Sequence, residues 1–348
     1  MQRLLCPTAL LALCAAAAPA TYTNPVLGGD VPDPGVVWAP ELSLFIASTT
    51  GCDATGACFA LHTSPDLASW TPAGALFPTL AAFPAWASRS DLTAWAPEIH
   101  RLASGEYLAV FVSKDAAGAL VVGAARSTGG ALGPYVATAA PLVTAPPGAC
   151  YGVIDPTVVI SSADPAAPPT LVFKTDGNSC GQRTDIVAVQ LTPDGLNVSA
   201  GAPWRTLLTT SAPWEGPLVE APWLIHNASS GYYYLFFSGS VYNQASYSIG
   251  VARGRTLDAP FEKAPFNPML RTRPGAAAAG LNYGPGHCAV VGLPPGAAQP
   301  QRWAIVYAAE QAPSGPHRNL MLDALVWQDG WPVVSGGYPS STEQPIPR

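Results

Sequence analysis

A five-fold internal repeat constrains the fold of this 348-residue chain more than any other feature of its sequence. Each copy starts with a polar residue near Pro or Ala, continues as an apolar strand, turns, and continues as a second apolar strand. Successive copies start 57 to 67 residues apart, at Asp33–Val37, Glu98–His100, Asp155–Val159, Glu220–Leu224 and His287–Val291. A unit of about 60 residues has room for four strands and their turns, which is the content of one propeller blade.

The second apolar segment follows the first in every copy, with turn residues such as Ser104-Gly105 between the two. These second segments are Leu44–Ala47, Tyr107–Phe111, Leu171–Phe173, Tyr232–Phe237 and Trp303–Tyr307. Five copies fill the chain after its N-terminal segment and leave no room for a second domain. We therefore predict an all-β fold, a five-bladed β-propeller, as a single domain over residues 21–348.

Composition and charge support this prediction and exclude two classes of partner. The chain has 38 Pro and 33 Gly but only 11% charged residues, against roughly 25% in an average soluble domain. Many turns between short apolar strands explain this better than amphipathic helices, which need charged outer faces. The net charge of −6, with no basic run, argues against nucleic acid or an anionic membrane as partner and favours a neutral ligand.

The N-terminus resembles a secretory signal peptide. Met1-Gln2-Arg3 is a short basic start, the run Leu4–Ala18 is apolar, and Ala18-Pro19-Ala20 offers small residues for cleavage. The run is too short to span a bilayer, and no second long apolar stretch follows. We expect residues 1–20 to be removed and the protein to be secreted.

Five cysteines remain after that cleavage, because Cys6 and Cys14 leave with the signal peptide. In an oxidising compartment the closely spaced Cys52 and Cys58 are expected to form a hairpin disulfide. Cys150 with Cys180 is the next pair, which leaves one buried thiol, Cys288. No second short Cys or His pair completes a tetrahedral zinc site.

The polar residue at the start of each copy carries the chemistry. In a propeller the first strand of each blade lines the central channel, so Asp33, Glu98, Asp155, Glu220 and His287 are expected to become neighbours. Carboxylates grouped without counter-charges destabilise a fold and are usually kept for function. Such a group can hold a divalent ion, bind a cationic ligand or perform acid-base chemistry. A pair of carboxyls flanking a glycosidic bond is a standard means of hydrolysing it.

Aromatic residues beside these acids favour a sugar as the ligand. Trp95, Trp223 and Trp214 lie near the acidic positions, and flat rings pack against the apolar faces of sugar rings. Packing between blades is the alternative role for a Trp at these positions, and we expect it for at least one of the three.

The whole chain after residue 20 resembles glycoside hydrolase family 43, a family of five-bladed propellers that includes arabinofuranosidases, β-xylosidases and arabinanases. Motifs of three or four residues are weak signals singly, but here seven occur in the family's order at propeller spacing. They are Asn24–Leu27 leading into Pro32–Pro34, Trp95–Glu98, Ile154–Thr157, Lys174–Asn178, Val219–Trp223, Gly284–His287, and Arg318 ahead of Asp329–Pro332.

The resemblance implies a role for each matching residue. Asp33 is the general base that activates water, Glu220 the general acid, and Asp155 the third carboxylate, which raises the pKa of the acid and orients it. Arg318 contacts the substrate and the acid, and His287 lies near an axial cation or water. The family inverts at the anomeric carbon, which needs about 6.5–9.5 Å between base and acid carboxyls.

The same resemblance sets the expected ligands. We expect a secreted, monomeric hydrolase of pentose-containing plant polysaccharides that requires no cofactor, with Trp95 and Arg318 binding substrate and Ca²⁺ or Na⁺ as a candidate axial cation at His287. A non-catalytic carbohydrate-binding propeller is the alternative. The chain departs from the family pattern at Gly35, where Ser is usual, and in the Ala/Gly-rich segment 271–281. No counterpart of the C-terminal β-sandwich of many β-xylosidases follows the fifth copy, which favours arabinan or arabinoxylan as substrate.

Overall fold

A computed structural model describes residues 21–161, 164, 166–294, 301–311 and 317–347. The predicted signal peptide, residues 1–20, lies outside this part of the chain. Within the described ranges twenty strands form five antiparallel four-stranded sheets, each built from consecutive strands, and no α-helix is present. None of the described helical segments is long and apolar enough to cross a membrane.

Each of the five sheets is one blade, and its strands run outward in chain order. Blade 1 contains β2 (Gly35–Ala39), β3 (Leu44–Ser48), β4 (Cys58–Ser64) and β5 (Thr71–Phe77). Blade 2 contains β6 (Trp95–Arg101), β7 (Tyr107–Lys114), β8 (Leu120–Ser127) and β9 (Tyr135–Ala137). Blade 3 contains β10 (Val153–Val159), β11 (Thr170–Thr175), β12 (Asp185–Gln190) and β13 (Arg205–Thr209). Blade 4 contains β14 (Val219–Asn227), β15 (Tyr232–Gly239), β16 (Ser248–Gly254) and β17 (Glu262–Lys263). Blade 5 contains β18 (Asn282–Gly292), β19 (Trp303–Gln311), β20 (Arg318–Gln328) and β21 (Trp331–Val334).

Two further strands and three short 3₁₀ segments complete the described elements. The strands β1 (Thr21–Tyr22) and β22 (Gln344–Pro345) pair with each other. The 3₁₀ segments are Gly177–Cys180, Pro213–Glu215 and Ser335–Gly337.

The first strands of the blades contact one another in a closed ring, from β2 through β6, β10, β14 and β18 back to β2. This ring makes the five sheets a five-bladed β-propeller, as the repeat predicts. The apolar segments identified in the sequence coincide with the first and second strands of each blade. Their apolar residues recur on both faces because each blade is covered by a neighbour on either side.

Apolar packing between blades holds the ring together. Between blades 1 and 2, the rings of Phe59, Phe77, Phe83 and Phe111 lie 5.3 to 6.4 Å apart, centroid to centroid. All four side chains are buried. Aromatic rings of this size dominate core energetics, and tilted or edge-on pairs add to the gain from burial.

The chain ends close the ring on blade 5. The N–H of Val26 donates to the carbonyl of Leu320, the N–H of Leu320 to the carbonyl of Leu27, and the N–H of Val31 to the carbonyl of Arg318. The N-terminal segment thus runs along β20 and leads directly into blade 1. Blade 5 and blade 1 are joined although they lie at opposite ends of the sequence.

Both predicted disulfides are confirmed. Cys52 bonds to Cys58 and Cys150 to Cys180, with Cα separations of 4.0 and 6.1 Å. Cys288 is a buried free thiol, as expected. The first bridge ties the segment that follows β3 to the start of β4. The second ties the segment before β10 to the 3₁₀ segment that follows β11.

Candidate active site

One cavity of 430 Å³ lies where the five first strands converge. Every blade contributes a residue to its wall from within its first strand or just before it: Asp33, Trp95, Asp155, Glu220 and His287. Arg318 reaches the same cavity from β20. Because these strands form the closed ring, the cavity lies on the axis of the propeller. The structure therefore brings all six predicted site residues into one pocket.

A shared backbone irregularity positions the side chains at this end of the ring. In or just before the first strand of each blade, one non-glycine residue has a left-handed backbone, and these five φ angles lie between 45° and 53°, at Asp33, Ala96, Asp155, Ala221 and His287. In blades 2 to 5 the pairing of first and second strands shifts register next to this residue, as at a β-bulge. Such conformations cost free energy for residues other than Gly, and they concentrate at functional sites.

The bulges correct one prediction from the sequence. Glu98 was expected beside the other acids, but the residue equivalent to Asp33 in blade 2 is Ala96, two positions earlier. Glu98 is buried, and its Oε2 lies 2.8 Å from Nε2 of His100. It does not line the pocket. Glu220, by contrast, precedes the left-handed residue of its blade by one position and still reaches the pocket.

Asp33 is held as a carboxylate by the residues around it. Its Oδ1 accepts a hydrogen bond from Nη1 of Arg318 at 2.6 Å, and its Oδ2 one from the hydroxyl of Thr50 at 2.7 Å. Nδ1 of His287 lies 3.1 Å from Oδ1. Burial by itself would raise the pKa of Asp33, but the charges of Arg318 and His287 outweigh burial and hold that pKa well below its usual range. The surroundings of Asp33 therefore favour its carboxylate form.

Asp155 lies in the opposite electrostatic setting. Its Oδ2 accepts a hydrogen bond from the backbone N–H of Ala221 at 2.9 Å, which ties it to the residue after Glu220. Burial is the largest influence and raises the pKa of Asp155. The charge of His287 lowers it in part, and the charge of Glu220 raises it again, to about 6. One pocket thus contains one carboxyl whose pKa is lowered and another whose pKa is raised to about 6.

Glu220 is fixed by a donor on each of its oxygens. The hydroxyl of Tyr247 donates to Oε1 at 2.9 Å, and Nζ of Lys174 donates to Oε2 at 3.0 Å. Lys174 also lies 3.0 Å from Oδ1 of Asp176. The ring of Tyr247 fits because residue 286 is Gly, where a Cβ would lie 1.8 Å from that ring.

His287 lies against Asp33 in the pocket, with its Nδ1 3.1 Å from Oδ1 of Asp33. Burial lowers its pKa, but the charge and hydrogen bond of Asp33 raise it to about 9, so the imidazole is protonated at neutral pH. Over the described ranges, no group of three or more His, Cys, Asp or Glu is arranged to hold a metal ion. In this structure His287 is placed as a counter-charge for Asp33, and an axial cation near it stays a prediction.

The three Trp residues near the acids divide between pocket and core. Trp95 lines the pocket and is 41% exposed, so its ring is available to a ligand. Trp223 is buried, and its Nε1 donates to the carbonyl of Val290 at 2.9 Å. Trp214 packs on Phe237 with ring centroids 5.6 Å apart. Trp223 and Trp214 are therefore packing residues, and neither lines the pocket.

Arg318 reaches the pocket but contacts a different acid from the one expected. Its ion pair within 4 Å is with Asp33, and no such pair joins it to Glu220 in the described part of the chain. Its guanidinium also lies 5.0 Å from the ring centre of Tyr242, which is 48% exposed at the pocket. The pairing of Arg318 with the acid, expected from the resemblance, is therefore wrong for this structure.

Sequence reasoning missed the residues that support the acids. Thr50, Lys174, Asp176 and Tyr247 contact Asp33 or Glu220 directly or through one neighbour. Lys174 and Asp176 belong to Lys174–Asn178, one of the seven motifs on which the resemblance rests, but neither residue was given a role. One feature of the sequence could have indicated them: Lys174 lies within an apolar strand segment, and a charged residue at such a position needs a buried partner. Thr50 and Tyr247 lie in connecting segments, where no periodicity marks them.

Comparison with known proteins points to a single family. A profile described as glycosyl hydrolases family 43 matches residues 22–332. A curated protein named xylosidase/arabinosidase, from Butyrivibrio fibrisolvens, is 27% identical over 203 residues. That alignment covers 52% of this chain and 36% of the relative, so the matched region spans about a third of the relative's length.

Solved structures share the architecture. A thermostable family-43 glycoside hydrolase superposes with a TM-score of 0.79 at 27% identity, over 94% of this chain and 99% of that one. A structure titled endo-1,4-β-xylanase, from Bacteroides thetaiotaomicron, superposes with a TM-score of 0.70 at 22% identity, over 94% and 99% of the two chains. At that lower identity the second likeness bears on the fold alone.

Proposed function

Because the chain belongs to glycosyl hydrolases family 43, we propose that it is a secreted, inverting glycoside hydrolase of pentose-containing plant cell-wall polysaccharides, of arabinan or xylan type. The name of the Butyrivibrio relative, xylosidase/arabinosidase, supports this substrate class. The two disulfides are compatible with an extracellular location. Residues 1–20 are proposed as the signal peptide and residues 21–348 as a single, monomeric catalytic domain.

The observation that carries the proposal is the unequal treatment of carboxyls in one pocket. Four carboxyls, those of Asp33, Asp155, Asp176 and Glu220, face three cations in the described structure: Arg318, His287 and Lys174. One carboxyl therefore lacks a counter-charge, while Asp33 has two cations in contact with it. The carboxyl without a counter-charge is Asp155, beside the proposed acid Glu220, and burial together with the charge of Glu220 raises the pKa of Asp155 to about 6. A pocket that takes up a proton near neutral pH beside Glu220, while Asp33 is held as a carboxylate, suits acid and base roles.

The proposed reaction divides the work between Asp33 and Glu220. Water attacks the anomeric carbon on the face opposite the leaving group and loses a proton to Asp33. The glycosidic bond breaks, its electron pair stays on the leaving oxygen, and Glu220 supplies the proton that this oxygen takes up. The ion pair with Arg318 orients Asp33 and keeps it ionised, but the same pair makes Asp33 a weaker base.

The remaining groups act on these two or on the sugar. Asp155 is the third carboxylate and, through the N–H of Ala221, is tied to the chain next to the acid. Trp95 offers a flat apolar face to the sugar, and Arg318 lines the same pocket. The proposed reaction uses these side chains and water, with no cofactor.

The test compares wild type with Glu220→Gln and Asp33→Asn on arabinan, arabinoxylan and aryl pentosides. We expect wild type to release reducing sugar with inverted anomeric configuration, observed by proton NMR before mutarotation. Glu220→Gln should lose most activity on polysaccharide but retain part of it on aryl pentosides, whose leaving group departs with little protonation. Asp33→Asn should lose activity on both kinds of substrate.

Two results would contradict the proposal. A product of retained configuration would exclude the inverting mechanism. Binding of polysaccharide without release of sugar by wild type would indicate a non-catalytic carbohydrate-binding propeller instead.

A further inference from the structure

A buried lysine lies between two carboxylates beside the proposed acid. The side chain of Lys174, at the end of β11, is 1% exposed, and its Nζ lies 3.0 Å from both Oε2 of Glu220 and Oδ1 of Asp176. Burial lowers the pKa of Lys174, but the charges of Glu220, Asp155 and Asp176 raise it above its usual range. The ammonium is therefore charged at all working pH values, and its cost of burial is offset by its two partners.

This arrangement bears directly on proton donation. An ammonium 3.0 Å from a carboxyl favours the ionised form of that carboxyl. The proposed reaction needs Glu220 in its protonated form. A Lys174–Glu220 pair alone would therefore oppose catalysis, and a second negative charge on Lys174 would relieve that opposition.

Asp176 supplies that second charge. It is buried, follows β11 by one residue, and lines the pocket. Its backbone N–H donates to the carbonyl of Gly152, and its own carbonyl accepts the hydroxyl of Ser179 at 2.7 Å. These backbone bonds hold the Asp176 side chain against Lys174 independently of Glu220.

We infer that Asp176 is a positioning residue for the proposed hydrolysis: it shares the Lys174 ammonium with Glu220 and thereby weakens the hold of that cation on the proposed acid. This inference rests on the proposed function. It names a residue outside the three acids as a determinant of the pH range of the reaction.

The other charged and titratable groups around Glu220 do not replace Asp176. Tyr247, before β16, donates a neutral hydroxyl to Oε1. Arg318, on β20, is bonded to Asp33. Asp155, on β10, adds negative charge near Glu220 and Lys174, but it accepts a hydrogen bond from the backbone N–H of Ala221 and forms no ion pair with Lys174 in the described part of the chain. His287, on β18, pairs with Asp33.

The variant Asp176→Asn tests the negative charge of residue 176 separately from the shape of its side chain. Asn has the size of Asp, its Oδ1 still accepts a hydrogen bond from Lys174, and the backbone bonds of residue 176 are unaffected. Asp185→Asn is a matched control, because Asp185 lies in the same blade and its carboxylate pairs with Arg183 rather than with Lys174. Both variants remove one negative charge, but only one of the two charges lies against Lys174.

The experiment is the pH dependence of kcat/KM on an arabino- or xylo-oligosaccharide and on a nitrophenyl pentoside. Asp176→Asn should move the basic limb for the oligosaccharide down by about one pH unit, because the charge of Lys174 then acts on Glu220 without a second carboxylate to share it. For the nitrophenyl pentoside kcat/KM at high pH should fall less, because its leaving group needs little protonation. Asp185→Asn should keep the wild-type limb.

A double variant should cancel or reverse the displacement of the basic limb. Lys174→Met combined with Asp176→Asn removes the cation together with its partner, so the basic limb should return to the wild-type position or above it. Asp176→Glu keeps the charge and should stay within a few tenths of a pH unit of wild type. A purely structural role for Asp176 would lower the rate at every pH and move neither limb.

An unmoved basic limb in Asp176→Asn, or a double variant displaced further downward, would overturn the inference. Should Asp176→Asn fail to fold, as judged by circular dichroism, the double variant decides alone, and a basic limb below that of wild type would count against Asp176. Wild type without activity on any of these substrates would overturn the proposed function and the inference with it. An active wild type with unmoved limbs would overturn only the role of Asp176.

Discussion

Arg318 and Asp33, 285 residues apart in the chain, form a two-point ion pair with Nη1–Oδ1 and Nη2–Oδ2 distances of 2.6 and 3.3 Å. Both side chains are 12% exposed. The pair links β20 of the last blade to the start of the first, beside the hydrogen bonds that close the ring. The contact that completes the fold is thus also the contact that sets the ionisation of the proposed base.

Arg318→Met should move the acidic limb of kcat/KM to higher pH. With the guanidinium removed, burial dominates, and the pKa of Asp33 rises toward or above its usual range. A displacement of about one to two pH units is expected, with a lower rate at neutral pH. Arg253→Met is the control, since Arg253 pairs with Glu262 and lies over the Trp331 ring outside the pocket. An unchanged acidic limb in Arg318→Met would contradict this role.

His287→Gln should change how stability depends on pH. The folded-state pKa of His287 is about 9, against an ordinary 6.5, so the folded protein binds the extra proton between these values. The contribution of this proton to the free energy of unfolding is complete below pH 6.5 and is lost as pH rises through 9. Between these values the free energy of unfolding falls by at most about 1.4 kcal/mol per pH unit. Urea unfolding from pH 6 to 9.5 should show this fall in wild type and a weaker one in His287→Gln. Parallel curves for the two proteins would argue against the protonated His287–Asp33 pair.

Trp95→Ala and Trp223→Ala should separate binding from stability. Trp95 is exposed at the pocket, so its loss should raise KM about tenfold, roughly 1.4 kcal/mol, with little change in the melting temperature. Trp223 is buried and hydrogen-bonded to Val290, so its loss should cost about 3–5 kcal/mol of unfolding free energy. Kinetics and thermal melts on both variants decide the point. A stability loss in Trp95→Ala comparable to that of Trp223→Ala would place Trp95 in the core.

Gly35→Ala should destabilise the fold, because β2 approaches β6 too closely for a side chain at residue 35. The same close approach accounts for Gly at this position, where Ser is usual in the family. A Cβ on residue 35 would lie 2.5 Å from the carbonyl oxygen of Pro97 and 2.9 Å from Cα of Glu98, both in β6. Backbone cannot yield as a flexible side chain can, so we expect a cost of about 1–3 kcal/mol. Gly28→Ala is the control, because its nearest neighbour, Oδ1 of Asn319, would be 3.9 Å away. Equal unfolding free energies for the two variants would show that β2 and β6 can separate.

The sequence determined the repeat and the strands by itself, because both depend on local pattern. Apolar segments of strand length, separated by turn residues at a fixed period, have few other ways to bury their surface than as blades of a ring. The disulfide pairs followed from spacing and the expected compartment. Membership of Asp33, Asp155, Glu220 and His287 in one pocket followed from their place at the starts of the repeats.

Only the tertiary structure decided which side chains touch. A left-handed residue with its bulge changes the direction of neighbouring side chains, so Ala96 rather than Glu98 holds the position of Asp33 in blade 2. That choice depends on contacts between blades, such as the hydrogen bond from the N–H of Ala96 to the hydroxyl of Thr50, and no local pattern encodes it. The partners of Lys174 and Arg318 were equally hidden. Buried charges take whichever counter-charge the closed ring brings within reach, and that distance is a property of the whole fold.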